Sequence, residues 1–105
     1  LWEPICMAGI TNVPGKPGML LFSNPHSLKL DPSGQEVPGG RGERKNLTIK
    51  LSQDDGKTWS TSKTLEPGSS AYSDLAVLPD GTVLCFYERG SKISLARFSL
   101  EWLKE

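Results

Sequence analysis

The sequence has little cysteine, a single histidine and no net charge. Its 105 residues include two cysteines, Cys6 and Cys85, and their spacing is not that of a metal centre. Each cysteine lies in an apolar stretch, which favours buried free thiols over a disulfide. Lys and Arg together number 12, as do Asp and Glu, so no net field favours nucleic acid or an anionic membrane surface.

Long apolar runs are also missing. No run approaches the roughly 18–20 residues that cross a bilayer. The first residues lack the basic, apolar and small-residue order of a signal peptide, so the signal of a secreted full-length protein is expected outside this chain. Frequent glycines and prolines divide the sequence into short runs without the sustained 3.6-residue period of a long helix. These patterns predict an all-β fold.

The apolar runs between turn residues predict six strands and one short helical turn at Leu100–Lys104. Residues 24–43, rich in Pro, Gly and charge, are predicted to form a long exposed loop. Asp80-Gly81 lies between two apolar runs, a strong hairpin signal that predicts antiparallel pairing of the flanking strands. The strands are predicted at residues 5–11, 19–23, 47–52, 71–78, 82–87 and 92–98.

The strand at residues 82–87 is apolar on both faces, and the first polar side chain after it is Glu88. A strand of this kind is typical of a sheet that is covered on both sides. Blades of a β-propeller and the sheets of a sandwich both provide such surroundings, so this pattern does not choose between them.

Residues 52–59 read Ser-Gln-Asp-Asp-Gly-Lys-Thr-Trp and fit the pattern Ser-x-Asp-x-Gly-x-Thr-Trp at every defined position. This segment resembles the Asp-box of sialidase-like β-propellers. The expected roles are structural: Asp54 accepts hydrogen bonds from turn amides, Gly56 takes a positive φ, Ser52 and Thr58 bond across the hairpin, and Trp59 packs against the neighbouring blade. An EF-hand calcium loop needs further oxygen ligands and a later Glu, so no metal site is predicted.

Residues 70–75, Ser-Ala-Tyr-Ser-Asp-Leu, and 84–88, Leu-Cys-Phe-Tyr-Glu, resemble the segment of exo-α-sialidases that holds the nucleophilic tyrosine. Residues 20–25 and 44–49 resemble the elements that deliver the third arginine of the family's carboxylate-binding triad. The resemblance implies that Tyr72 is the nucleophile, Arg44 a ligand of the substrate carboxylate, and Glu88 an acidic partner that orients a triad arginine. Arg41 and Lys45 remain competitors of Arg44.

The implied substrate fits these residue types chemically. Sialic acid carries a carboxylate on its anomeric carbon, which repels an anionic nucleophile but not a neutral phenol. Because a phenol has an ordinary pKa of about 10, it needs a nearby carboxylate base when it attacks. The product of that attack is a covalent glycosyl intermediate, and the stereochemistry is retained. An arginine fork can make two charge-assisted hydrogen bonds to the substrate carboxylate, which a lysine cannot.

The resemblance further implies that residues 1–105 are the C-terminal part of a sialidase-like propeller domain. At about 40–50 residues per blade, the chain covers about two blades of a six-bladed propeller. No Phe-Arg-Ile-Pro-like segment precedes the Asp-box. The acid/base aspartate, the glutamate that activates the tyrosine and two arginines are therefore expected from preceding blades, and the isolated chain is expected to be inactive.

The implied function is a retaining exo-α-sialidase that hydrolyses terminal sialic acid from glycoproteins, glycolipids and oligosaccharides, without a cofactor. The expected partners are these sialylated glycans and the remaining blades, with neither nucleic acid nor a membrane span. A trans-sialidase shares the same residues. A non-catalytic Asp-box propeller that binds glycan or protein, and a β-structural module of common ancestry only, stay open. The substrate implies an extracellular, periplasmic or lysosomal location.

Overall fold

The computed structural model describes residues 7–26, 28–38 and 44–105; for residues 28–30 and 36–38 it describes the backbone only. Within these ranges the regular structure is β-strand apart from one short helix, as the turn-rich sequence predicts. The elements, in chain order, are β1 (Gly9–Asn12), β2 (Leu20–Pro25), β3 (Leu28–Leu30), β4 (Glu36–Pro38), β5 (Lys45–Ser52), β6 (Thr61–Ser69), β7 (Ser73–Val77), β8 (Val83–Arg89), β9 (Lys92–Phe98) and α1 (Leu100–Lys104).

The strands form two larger antiparallel sheets and one small hairpin. The first sheet has the order β1-β2-β5-β6, the second has the order β7-β8-β9, and β3 pairs with β4 alone. Both larger sheets are meanders of the kind that build a propeller blade. The prediction of an all-β chain with two blade-like sheets is therefore confirmed.

A single core lies between the two larger sheets. Alternate residues of β5 point into it, and Leu47, Ile49 and Leu51 are all completely buried. From the second sheet, Val83 and Cys85 of β8 belong to the same core and are also completely buried. Burying one aliphatic side chain of this size contributes roughly 1.5–3 kcal/mol, so this strip accounts for much of the cohesion between the sheets.

The turn between β7 and β8 forms the predicted hairpin. The amide of Gly81 donates to the carbonyl of Leu78 at 2.9 Å, and the amide of Leu78 donates to the carbonyl of Thr82 at 2.8 Å. Gly81 has a φ of +89°, which glycine adopts without steric cost. The strands on either side pair from Ser73 opposite Tyr87 to Val77 opposite Val83, as the Asp-Gly signal predicts.

The long loop predicted at residues 24–43 is wrong in part. Strand β2 continues to Pro25, and β3 and β4 form a hairpin whose tip is the segment that had indicated a loop. Asp31 folds this tip, because its Oδ1 accepts hydrogen bonds from the amides of Ser33 and Gln35, both at 2.9 Å. Residues 27 and 39–43 of the predicted loop lie outside the described residues.

Strand β6 has no counterpart in the sequence prediction. Its residues are mostly polar and exposed, and Pro67 and Gly68 near its end are unusual in a strand. It forms because it lies at the edge of the sheet and pairs only with β5. Edge strands tolerate proline and polar side chains on both faces, which is why no apolar run marks this one.

The predicted C-terminal helical turn is present at the predicted residues. Ser99 caps it, because its Oγ accepts a hydrogen bond from the amide of Trp102 at 3.1 Å. Lys63 of β6 donates from Nζ to the carbonyl of Trp102 at 3.0 Å, and the same ammonium lies 4.2 Å from the centroid of the Trp102 ring. These contacts fasten the turn to the first sheet. Nowhere in the described residues does a helix reach the length and apolar character needed to cross a bilayer.

Candidate active site

The Asp-box is a closed loop that follows β5 and is held together by its own side chains. Asp54 accepts hydrogen bonds from the amide and the hydroxyl of Thr58, at 2.8 and 2.6 Å, and from Ser52 Oγ at 2.8 Å. These bonds favour the carboxylate, and the Thr58 hydroxyl in particular lowers the pKa of Asp54 to about 2. Ser52 Oγ also accepts from the amide of Gly56, whose φ is +86°. Every oxygen of this carboxylate is thus used in folding the loop.

Trp59, the last residue of the motif, packs within its own sheet. Its ring lies 5.7 Å, centroid to centroid, from the ring of Phe22 in β2 at an interplanar angle of 52°. This contact arises because the Asp-box returns to the sheet, where the amide of Ser60 donates to the carbonyl of Leu51 at 3.0 Å beside β2. A contact of Trp59 with a blade outside this chain stays a prediction.

Arg44 lies immediately before β5, where the strand begins with a bulge. Asn46 has a φ of +58°, and the register with β6 shifts on both sides of Leu47. The hydroxyl of Thr48 donates to the carbonyl of Asn46 at 2.8 Å and holds this conformation. A bulge turns the side chains at a strand end away from the regular pleat, and here the bulge follows Arg44 directly. Among the competitors, Lys45 is exposed within β5 and Arg41 lies outside the described residues.

Tyr72 lies immediately before β7, at the end of the second sheet that faces Arg44. The guanidinium carbon of Arg44 lies 5.7 Å from the centroid of the Tyr72 ring, within the range of a cation–π contact. A backbone bond supports this approach, since the amide of Ser70 donates to the carbonyl of Arg44 at 3.1 Å. Tyr72 is 46% exposed, so its phenol is open to a ligand.

Glu88 lies opposite Tyr72, near the end of β8. Its Oε1 accepts a hydrogen bond from the amide of Tyr72 at 3.2 Å, while its own amide donates to the carbonyl of Tyr72 at 3.0 Å. Glu88 is exposed in this chain. The face of β8 that carries Glu88 also carries Phe86, which is half exposed.

The three residues implied by the sequence therefore meet at one end of the molecule. Beside them a shallow concave surface of about 200 Å³ is lined by Tyr72, Asp74, Phe86, Glu88 and Ile93, among others. Arg44 is not among the residues that line this surface, but it contacts the ring of Tyr72, so a cation, a phenol and a carboxylate are gathered around one residue. Such a set suits an anionic ligand that is attacked by a neutral oxygen nucleophile.

Cys85 is a second potential nucleophile in the same sheet, and its surroundings make it inert. Burial, with a smaller contribution from the negative charge of Asp74, raises the pKa of the Cys85 thiol to about 12. The thiol is free and buried, as its apolar surroundings predict. Cys6 lies outside the described residues. Among the described residues, no group of three or more His, Cys, Asp or Glu side chains converges as a metal site would require.

Comparison with known proteins identifies the family. Residues 6–85 match the model of the BNR repeat-like domain. The chain is 44% identical over 85 residues to a sialidase of Micromonospora viridifaciens, an alignment that covers 81% of this chain and 11% of that protein. It is 32% identical over 111 residues to a sialidase of Bacteroides fragilis (strain YCH46), covering 98% of this chain and 18% of that protein. The chain belongs to the sialidase family.

A solved structure supports the same assignment at the level of the fold. The Hadza microbial sialidase Hz136 is 33% identical, superposes with a TM-score of 0.75, and aligns over 96% of this chain and 19% of its own length. The sialidase relatives are thus five to nine times longer than the segment they share with this chain. The two larger sheets correspond to part of a sialidase propeller.

The structure also brings two serines to the site that the sequence analysis did not select. Ser73 follows Tyr72, and its hydroxyl lies 2.7 Å from the hydroxyl of Ser23 in β2. One signal was available in the sequence. Ser23 occupies a core-facing position in β2, two residues after the buried Leu21, and a polar side chain at such a position requires a partner.

Proposed function

We propose that the full-length protein is a retaining exo-α-sialidase and that Tyr72 is its nucleophile. The observation that carries this proposal is the meeting of Arg44, Tyr72 and Glu88, which come from three separate segments. The Arg44 guanidinium lies 5.7 Å from the Tyr72 ring, and the Glu88 carboxylate holds the Tyr72 amide at 3.2 Å. Membership of the sialidase family supplies the substrate class, sialylated glycans.

Arg44 is proposed to bind the carboxylate of sialic acid. Its planar fork can donate two parallel hydrogen bonds to that group, and its position over the Tyr72 ring brings the bound sugar close to the phenol. Arg44 is only partly buried. Two further arginines, from parts of the protein outside this chain, complete the set in this proposal.

Tyr72 is proposed to attack the anomeric carbon of the bound sugar. The phenol oxygen forms a bond to that carbon while the bond to the leaving glycosidic oxygen breaks. A carboxylate base outside this chain takes the phenol proton, and an acid outside this chain protonates the leaving oxygen. Water then attacks the same carbon from the side that the leaving group vacated, which releases sialic acid with retained stereochemistry and restores the tyrosine.

Glu88 is proposed to orient an arginine of the carboxylate-binding set. Its Oε1 already accepts from the Tyr72 amide, which fixes the carboxylate beside the nucleophile. An arginine held by this carboxylate would therefore point into the same space as the Tyr72 ring. The exposure of Glu88 in this chain fits a partner that another part of the protein supplies.

The remaining propeller blades are proposed to cover the open face of the second sheet. This face includes the concave surface lined by Phe86 and Ile93, so in this proposal the substrate binds on the Arg44 side of Tyr72. Phe86, Ile93 and Leu95 are 50%, 79% and 51% exposed on that face, an apolar patch of a kind that soluble proteins cover. The chain spans only 11–19% of the length of its sialidase relatives, so most of such a protein lies outside it. In this proposal residues 1–105 are the C-terminal part of the propeller domain.

The test is hydrolysis of an aryl sialoside by the full-length protein, in which Tyr72→Phe is compared with Tyr87→Phe. Tyr87 is the other tyrosine of the chain and is 9% exposed, on the core face of β8 opposite to Phe86 and Glu88, so its variant removes a phenol hydroxyl from the buried side of the same strand. We expect Tyr72→Phe to lower kcat by on the order of 10⁶-fold, the size of the loss when a hydrolase loses its nucleophile. Circular dichroism of both variants controls for folding.

Other outcomes decide between the alternatives. Undiminished turnover in folded Tyr72→Phe would remove Tyr72 as nucleophile, and an inactive wild type that still binds sialosides would favour a non-catalytic binding propeller. Transfer of sialic acid to an added galactoside, in place of release to water, would identify a trans-sialidase. The isolated 105-residue chain is expected to show no turnover, and measurable hydrolysis by it would contradict the proposed need for other blades.

A further inference from the structure

The residue after the proposed nucleophile is fastened to the other sheet. Ser73 Oγ lies 2.7 Å from Ser23 Oγ and donates to the backbone carbonyl of Ser23 at 3.3 Å. Because a hydroxyl carries one proton, this assignment leaves Ser23 Oγ as the donor of the shorter bond. Ser23 is completely buried, so both hydroxyls satisfy each other where water does not reach Ser23.

Strand β1 closes on this pair so tightly that only glycine fits. A Cβ at Gly9 would lie 2.8 Å from Ser23 Oγ, 3.0 Å from Asp74 Cα and 3.1 Å from the carbonyl oxygen of Ser73. Gly9 is the partner of Ser23 in the register of β1 with β2. Its conformation needs no positive φ, so the requirement is the close approach of three strands.

The serine pair connects the element of the nucleophile to the element of the carboxylate ligand. Ser23 of β2 pairs with Ile49 of β5, the strand that Arg44 precedes, while Ser73 begins β7 directly after Tyr72. The position of Tyr72 relative to Arg44 therefore depends on how β7 is held against β2. Within its own sheet, Tyr72 is held separately by the reciprocal bonds to Glu88.

We propose that Ser23 and Ser73 are positioning residues that set the distance between the Tyr72 oxygen and the anomeric carbon of a sugar bound by Arg44. This inference rests on the proposed function. Ser73 belongs to the lining of the concave surface beside Tyr72, but its hydroxyl is bonded to Ser23, so neither serine hydroxyl touches the substrate in this account. Removing one hydroxyl lets β7 shift against β2, and a displacement of about 1 Å at a reacting centre costs on the order of 100-fold in rate.

The test measures the attack of the nucleophile separately from substrate binding. A sialosyl fluoride with a second fluorine at C3 forms the covalent intermediate and hydrolyses slowly, so its rate of incorporation into the full-length protein, followed by intact mass, reports the attack itself. The variants are Ser73→Ala, Ser23→Ala and the double variant. Ser62→Ala, an exposed serine of β6, is the matched control.

We expect each single variant to slow incorporation about 10- to 100-fold while the KM for an aryl sialoside stays within about threefold of wild type. The double variant should be no slower than the slower single one, because both remove the same contact. Gly9→Ala, which leaves both hydroxyls in place but pushes the strands apart, should also slow incorporation. It keeps the proposal testable where a serine variant does not fold.

Unchanged incorporation in folded Ser73→Ala and Gly9→Ala would overturn the inference. A rise in KM without a change in the rate of incorporation would overturn it as well. Failure of the proposed function is a different result: the label would then appear on a residue other than Tyr72 in the wild-type protein. Labelling of Tyr72 at the same rate in wild type and serine variants would reject only the positioning role.

Discussion

The Asp-box and the cluster around Tyr72 are two polar sites that are held together differently. The Tyr72 cluster consists of Arg44, Tyr72 and Glu88 with the Ser23–Ser73 pair. In the Asp-box, the hydrogen bonds of Ser52 and Asp54 join residues two to four positions apart. At the Tyr72 cluster, Glu88 bonds to a residue 16 positions away and Ser23 to one 50 positions away. The loop is therefore specified by its own eight residues, whereas the cluster exists only when the sheets have packed.

The largest effect that sharpens this comparison is expected at Arg44. Arg44→Lys keeps the charge but replaces a fork that can make two hydrogen bonds by a single ammonium. Losing one hydrogen bond to a charged group costs about 1.5–3 kcal/mol, so kcat/KM for a sialoside should fall roughly 10- to 100-fold in the full-length protein. Steady-state kinetics at equal folded concentration measure it.

The matched control is Lys45→Ala, because Lys45 is the neighbouring cation and competes for the same role. It should leave kcat/KM close to that of wild type, since Lys45 is exposed within β5. If Lys45→Ala lowered kcat/KM while Arg44→Lys did not, the carboxylate ligand would have been assigned to the wrong residue. An equal loss in both variants would point to the bulge at the start of β5 and not to either side chain.

A smaller effect, on stability and not on catalysis, is expected at the Asp-box. The pKa of Asp54 in the folded chain is about 2, below its ordinary value of 3.8, because the folded loop donates hydrogen bonds to the carboxylate. A lowered pKa means that this stabilisation is complete above about pH 4 and is lost as the pH falls toward 2. Asp54→Asn should unfold at lower denaturant concentration than wild type at pH 6, with sialidase kinetics unchanged where both are folded.

The stability difference between wild type and Asp54→Asn should depend on pH. The difference in denaturation midpoint between wild type and Asp54→Asn should shrink between pH 4 and pH 2, because the wild-type carboxylate becomes protonated there. Asp55→Asn is the control: it removes an equal charge one position along, and asparagine tolerates the φ of +61° at that residue. A midpoint difference that stayed constant over this range would show that Asp54 does not stabilise the loop through its charge.

The sequence predicts best those features that depend on neighbouring residues. The strand at Lys92–Phe98, the helical turn at Leu100–Lys104 and the hairpin at Asp80-Gly81 all follow from local apolar pattern, capping and turn chemistry. The Asp-box also follows, because the hydrogen bonds of its Ser52 and Asp54 side chains stay within the motif. Its contacts with other segments do not follow from the motif: Trp59 packs on Phe22, and the Asp55 amide donates to the carbonyl of Gly18 at 2.9 Å.

The features that the sequence does not predict depend on distant residues. Strand β6 is polar and owes its structure to pairing with β5, and the hairpin of β3 and β4 was hidden in a stretch rich in Pro and Gly. The pairing of Ser23 with Ser73 depends on how two sheets meet, which no pattern along the chain encodes. The sequence analysis selected Arg44, Tyr72 and Glu88 as members of one site because of the family resemblance. Their spacing along the chain does not predict that they lie together.

The most direct measurement is the identity of the residue that becomes covalently modified. The full-length protein would be trapped with the doubly fluorinated sialosyl fluoride, digested, and analysed by tandem mass spectrometry. The account predicts one sialosyl adduct, attached to the phenol oxygen of Tyr72. An adduct on any other residue, or steady hydrolysis of sialosides by an enzyme that is never modified, would contradict it.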